Sequence, residues 1–420
     1  MATHYHKIRG KTWKCLTGFN SLKDHELFAQ GGKLYDKLFS EEEKEPYEHF
    51  KRYIEDSAKA RKRPQQAKVI DTLSVGFEEE VPKGFIFFSW YPDEHLVFTP
   101  YVGFYLTTSL KFFQTVPDLI EEEREIVGLH GKSIEAVLFE LEKFNPSDIP
   151  LKGSLTTLTK KQLVAKKRAQ LTRAYQENGA WLIPWIIYKQ PPLEKKGRSI
   201  DMHLMYWPVN QEIQSNPGKF EKQHVEKLVR FTYERFYLDG YKATEPAKDH
   251  KYWQALMKQY VNEVIKYIPD GEFELERISA KEPTKRVFIS YAGRDERFAD
   301  LIRLRFETRG ASVNFWPLSI QTKIGQKIEN TIKELIREAD HCIFLVTPNS
   351  FGSYGQRLEK NVISSYAKRK PIHIITDISH DDLNSLFKVS GDEGFIYARF
   401  HNDYDFSQAV DKCVRSIFDS

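Results

Sequence analysis

The chain has 420 residues, enough for two or three domains that each bury a core of their own. Aromatic residues make up 14% and charged residues 29%, which excludes wholesale disorder, and 63 lysines and arginines against 59 aspartates and glutamates single out neither nucleic acid nor an anionic surface as partner. Three widely spaced cysteines, Cys15, Cys342 and Cys413, exclude a disulfide framework and a Cys-x-x-Cys zinc site, and they fit a reducing, cytoplasmic setting.

In chain order, the opening "MATHYHKIRG" lacks the apolar core of a signal peptide. His4 and His6 would share a metal only with a third ligand, and a frayed terminus is the plainer reading, so no metal site is expected. Lys51, Arg52, Lys59, Arg61, Lys62 and Arg63 make a basic segment that reads as a solvated helix face, although phosphates would also suit it. Gly84–Tyr91 and His95–Thr108 are rich in aromatic and β-branched residues and flank a turn at Pro92-Asp93-Glu94, which predicts adjacent strands. "GLHGKSIE", Gly128–Glu135, is set aside as a phosphate loop because Ile126 stands where the motif needs glycine, and the acidic stretch before it reads as helix.

Apolar spacing predicts helices over Ser133–Phe144 and Tyr252–Ile268. Between them lie a second basic helix face (Lys160, Lys161, Lys166, Lys167, Arg168, Arg173) and two strands, in Ala180–Tyr188 and Met202–Val209, around a polar loop at Pro191–Arg198. Ala180–Tyr188 is the longest apolar run and is far too short to span a bilayer. A division near Asn145–Ser154 would split this part into two mixed α/β units. His203, His373 and His401 have no ligand-spaced companions. These readings give an N-terminal part over 1–274, a linker over 275–285 that loses periodicity and gains charge and a proline, and a C-terminal domain over 286–420.

The C-terminal part alternates regularly. Strand Val287–Ser290, helix Glu296–Thr308, strand Ala311–Phe315, helix Lys327–Glu338, strand Cys342–Thr347, helix Leu358–Ala367, strand Ile372–Thr376 and a helix near Phe406–Phe418 predict a parallel sheet with helices on both faces. Ligands of such sheets sit beyond the carboxyl ends of the strands. The small, polar turn Ser290–Asp295 lies there, although a strand-to-helix turn favours such residues, with an Asp near the helix cap, in any case.

The runs "VFISYAGRD", "IGQKIENTIKELIREADHCIFLVTPNSFGS" and "YGQRLE" together resemble the Toll/interleukin-1 receptor homology (TIR) domain, over about the last third of the chain. The resemblance implies a flavodoxin-like fold, self-association through TIR surfaces and, as in many bacterial and plant members, cleavage of NAD+ as a substrate without metal or other cofactor. The family's essential glutamate falls on Glu359 and its preceding serine on Ser353, while Ser290, Tyr291, Arg294, Trp316 and Tyr354 fall where ribose, base and phosphate would be held. Two positions depart from the pattern: Gly355 replaces the family's tryptophan, and Trp316–Ile324 lacks the usual acidic residue. By the resemblance the chain is a cytoplasmic NAD+ glycohydrolase of the prokaryotic immune-effector type, with no membrane association. Oligomerisation would switch it on when the N-terminal part meets a trigger that the sequence does not identify: a small nucleotide, a protein or a nucleic acid. The alternatives are a non-catalytic TIR scaffold or adaptor, and a base-exchange or cyclising nucleotide transferase using the same pocket.

Overall fold

Strand β1 (Thr3–Ile8) runs antiparallel to β2 (Lys11–Leu16) around a two-residue turn in which both Arg9 (φ 47°) and Gly10 (φ 78°) are left-handed, the geometry that matches the twist of a tight hairpin. The terminus is therefore a paired strand, contrary to the frayed end expected from sequence, with His6 and Ile8 buried. The computed structural model describes residues 2–39, 44–60, 68–105, 114–126, 133–144, 159–195, 197–209, 218–278, 285–314, 334–353, 356, 372–387, 395–401 and 403–418. They fall into two compact units: Met1–Glu142 with Arg173–Ile183 and Tyr188–Ile265, and Lys143–Thr172 with Pro184–Ile187 and Lys266–Ser420.

The first unit is built on a mixed sheet. Helix α1 (Leu22–Leu38) starts at a capping box in which Ser21 and Asp24 satisfy each other's backbone, and α2 (Glu48–Ala60) follows. Strands β3 (Ile70–Glu78), β4 (Val81–Tyr91) and β5 (Leu96–Phe104) form the meander that the aromatic runs predict, turning at Pro92–His95. Helix α3 (Val116–Ile126) precedes β6 (Ala136–Glu142), which pairs parallel with β5 and antiparallel with β9 (Ile200–Pro208).

The helix expected over Ser133–Phe144 is thus corrected to a strand. Ala136–Phe139 and Leu141 are all buried between two neighbours, and a run buried on both faces lacks the alternation that marks a half-exposed strand. Basic helix α4 (Lys160–Glu177) leads to the short strands β7 (Trp181–Leu182) and β8 (Lys189–Gln190), both on β9. The order is β1-β2-β3-β4-β5-β6-β9-β7. Strand β10 (Lys219–Glu221) then enters α5 (Lys222–Arg230), which continues through a π-helical stretch, Phe231–Tyr237, into α6 (Leu238–Thr244); α7 (His250–Ile265) closes the unit.

The second unit holds β11 (Glu272–Glu274) and a parallel sheet of order β13-β12-β14-β15-β16, formed by β12 (Lys285–Ser290), β13 (Ala311–Asn314), β14 (His341–Val346), β15 (Ile372–Thr376) and β16 (Phe395–Arg399). Helix α8 (Glu296–Thr308) follows β12, α9 (His380–Phe387) follows β15 and α10 (Asp403–Phe418) follows β16. The core joins Val287, Ile289, Ile343 and Ile375 of the strands to Ile302 and Phe306 of α8 and to Val410 and Ile417 of α10. Of the predicted helix Lys327–Glu338 only 334–338 is described, as helix, and the predicted helix Leu358–Ala367 lies outside the described residues. Helix α9 and strand β16 were not anticipated.

The segment read as a linker begins inside this unit. Leu275 and Ile278 are buried, and Glu276 pairs with Arg305 of α8, which is itself 5% exposed, also paired with Asp411 and covered by the Trp185 ring 4.4 Å from its guanidinium.

Candidate functional site at the carboxyl edge of the parallel sheet

Strands β12 and β14 are neighbours in register, Ser290 opposite Phe344, so the loops leaving their carboxyl ends emerge side by side. The first loop turns through a short 3-10 segment, Gly293–Asp295, into α8. Asp295 occupies the N-cap of α8 but makes no side-chain cap bond. Its buried carboxylate reaches across to the second loop, where one oxygen accepts from Thr347 Oγ1 and the other from Asn349 Nδ2, each at 2.6 Å. The expected capping aspartate is therefore a clasp between loops. Hydrogen bonds to a charged, buried acceptor are among the stronger ones, on the order of 1.5–3 kcal/mol each.

The second loop is ordered from within. Thr347 caps the turn Pro348–Gly352, its Oγ1 accepting from the Asn349 amide at 3.1 Å while its own amide donates to Ser350 Oγ at 3.0 Å. Ser353 Oγ then accepts from the backbone N–H of Gln356 at 3.2 Å, and the Gln356 side chain donates to the Leu345 carbonyl at 2.8 Å. Gln356 is thereby tied to the end of β14.

A third loop brings Asp377, whose amide donates to the Val346 carbonyl at 3.3 Å. Burial pushes its carboxyl above the usual carboxylate range and the Asp295 charge adds to the effect. Its Oδ1 is buried without a hydrogen-bond partner among the described residues, so this edge carries one saturated carboxylate and one with unmet capacity.

Of the residues singled out from sequence, Ser290 is fully buried at the end of β12, and Tyr291 is 4% exposed and packed in the core with Val287 and Ile375. Arg294 is exposed, and Ser353 is half-buried in its capping role. Trp316, Tyr354, Gly355 and Glu359 lie outside the described residues. The sequence reading missed Asn349, Gln356 and Asp377. Asp377 carried one usable signal, its place directly after a fully buried strand on the edge where loops converge.

The first unit contains a cavity of about 380 Å³. Tyr53, Tyr91, Tyr101 and Phe236 contribute rings to its walls, and Glu45 and Asp239 contribute carboxylates. Among the described residues no helix is long and apolar enough to cross a membrane.

No curated protein matches the chain. Among solved structures it is similar to the catalytic domain of the Tetrahymena GCN5 histone acetyltransferase in complex with coenzyme A, at 10% identity over 48% of this chain and 94% of that one with a TM-score of 0.25. It is also similar to the aminoglycoside 6'-N-acetyltransferase from Enterococcus faecium, at 11% identity over 46% and 95% with a TM-score of 0.26. At those scores neither likeness says anything of what this chain does. The family match is of a different kind: residues 287–414 match the TIR domain, and that span starts in β12, ends in α10 and takes in all three loops of the carboxyl edge. The C-terminal part of this chain is a TIR domain.

Proposed function

We propose that the chain is an NAD+ glycohydrolase whose TIR domain releases nicotinamide, with the N-terminal unit taking the input that turns it on, as an effector of antiviral defence. The observation that supports this most is the anchoring of Ser353 and Gln356, shortly before Glu359 in the sequence. Ser353 caps Gln356, Gln356 is bonded to the end of β14, and Asp295 clasps the start of the same loop. A carboxylate that stabilises a transition state must be held in place before the reaction, and Glu359 follows this anchored segment by three residues in the sequence.

The chemistry asks for such a group. The bond between nicotinamide and ribose C1 breaks with its electron pair leaving on the ring nitrogen, positive charge builds on the sugar, and water adds at C1 with loss of a proton. A carboxylate beside the ribose stabilises that charge and orients the hydroxyls. Self-association of TIR domains would complete the pocket, and the cavity of the first unit has the size of a small-molecule site.

The test is the purified full chain with NAD+ over a range of protein concentrations, with and without extract of phage-infected cells, and with products identified chromatographically. Nicotinamide and ADP-ribose, linear or cyclic, are expected, at a rate per chain that rises with concentration. Glu359→Gln should lower the rate at least about a hundredfold with unchanged circular dichroism. Base exchange with an added pyridine would mark a transferase, and no nicotinamide under any condition would leave an adaptor.

A further inference from the structure

His4 and His6 lacked a third ligand in the sequence, and the fold supplies two. In the antiparallel pair β1·β2, His4 stands opposite Cys15 and His6 opposite Trp13. Residues two apart share a face of a strand, and directly opposed residues share it across the ladder, so His4, His6 and Cys15 project to one side. Helix α3 brings Glu123 to the same place. His6 Nε2 lies 2.9 Å from Glu123 Oε2 and His4 Nδ1 lies 2.8 Å from Glu123 Oε1. Ligand atoms of His6, Cys15 and Glu123 all fall within 4.8 Å of one another, and these three residues are at most 4% exposed.

We propose that His6 Nε2, Cys15 Sγ and the Glu123 carboxylate, with His4 as fourth donor, form a structural transition-metal site, with zinc the fitting ion. The donor set decides the class. A thiolate and imidazoles select a borderline-soft ion, whereas calcium or magnesium would call for oxygen ligands alone. Four such donors are the complement of a closed tetrahedral site, with no position left for substrate. Bond lengths of about 2.0–2.3 Å put neighbouring ligand atoms of a tetrahedron roughly 3.3–3.8 Å apart, so the atoms of His6, Cys15 and Glu123 have to close by up to about 1 Å, and His4, which lies outside that cluster, has to swing in to complete it.

The surroundings have the form of an outer shell as well. The other ring nitrogen of His6, Nδ1, lies 2.9 Å from Glu122 Oε2, the carboxylate–imidazole arrangement that orients a ligating histidine, and Cys15 Sγ lies 3.0 Å from Ser74 Oγ. The competing account is a proton-bridged His–Glu cluster with no affinity for metal. The two differ in what Cys15 does, because a proton-bridged cluster has no use for a thiolate. A metal here would staple the first strand of the sheet to α3, joining segments more than a hundred residues apart in the chain.

The full chain, stripped with a chelator and titrated with Co2+, tests this. The expected result is one equivalent bound, tetrahedral visible bands and a thiolate-to-cobalt charge-transfer band in the near ultraviolet, all removed by one equivalent of Zn2+. Cys15→Ser should abolish the charge-transfer band. Glu122→Gln, at a half-exposed position, should weaken Zn2+ binding by about 10–100-fold while keeping the band. The parent's own spectrum serves as readout should a variant fail to fold. The absence of stoichiometric binding, or cobalt bound without a thiolate band, would overturn the proposal and leave the proton-bridged cluster.

Discussion

Asp295 shows how one side chain decides the shape of an edge. Its two oxygens are both used, on Thr347 and Asn349, so the loops after β12 and β14 are held as one piece. Asp295→Ala would leave the buried Thr347 hydroxyl without its acceptor while the exposed Asn349 amide turns to water, at a cost of about 1–3 kcal/mol. Urea unfolding followed by tryptophan fluorescence should show that loss, and a variant within about 0.5 kcal/mol of the parent would mean the clasp adds nothing. A sequence cannot reveal such a role. An aspartate before a helix reads as its cap, and the partners that claim it here stand more than fifty residues further on. Ser353 was singled out by the resemblance as a substrate-binding position, and its capping of Gln356 was not read although a serine three positions before a helical residue is a local signature.

Strands β14 and β15 carry a pH dependence between them. His341 and His373 are buried on adjacent parallel strands with ring centroids 5.6 Å apart. Burial pushes His373 down to about 4, with the neighbouring His341 adding to the effect, and burial followed by the Lys285 charge lowers His341, against the opposing pull of Asp340. A histidine whose folded pKa is depressed is neutral in the fold, so its contribution is fully present above the unfolded value of about 6.5 and is lost as pH falls toward 4, on the order of 3 kcal/mol for His373. Hydrogen exchange of the β14 and β15 amides, corrected for intrinsic rates, should therefore show falling protection between pH 7 and pH 5, with the fall reduced in His373→Gln. Protection independent of pH would refute it. These strands were readable from sequence because short, Ile- and Val-rich runs between turn residues fit a sheet buried on both faces. The same kind of run misled at β6, where helical spacing and a continuous apolar stretch coincide. Strand β16 escaped because "FIYAR" is short and ends in charge.

At the scale of the whole molecule, the second unit is larger than the segment that matches the TIR family. It takes in Lys266–Ile278 and, from far upstream, Pro184–Ile187. An excised chain starting at Thr284 loses the Glu276 partner of buried Arg305 and the apolar cover of Leu275 and Ile278, and removing one partner of a buried ion pair costs about 3–5 kcal/mol. Such a segment should melt well below one that starts at Lys266, by differential scanning calorimetry at equal concentration. Coincident transitions would show that the upstream residues are dispensable. Trp185 carries a further consequence, in the order of synthesis. The indole that covers Arg305 leaves the ribosome long before α8 does, so a nascent chain holding the complete C-terminal unit already holds the whole N-terminal one. Premature termination yields the first unit without the second, and a chain begun internally after Ile187 lacks part of its own core. The sequence order alone thus puts completion of the TIR unit after that of the first unit.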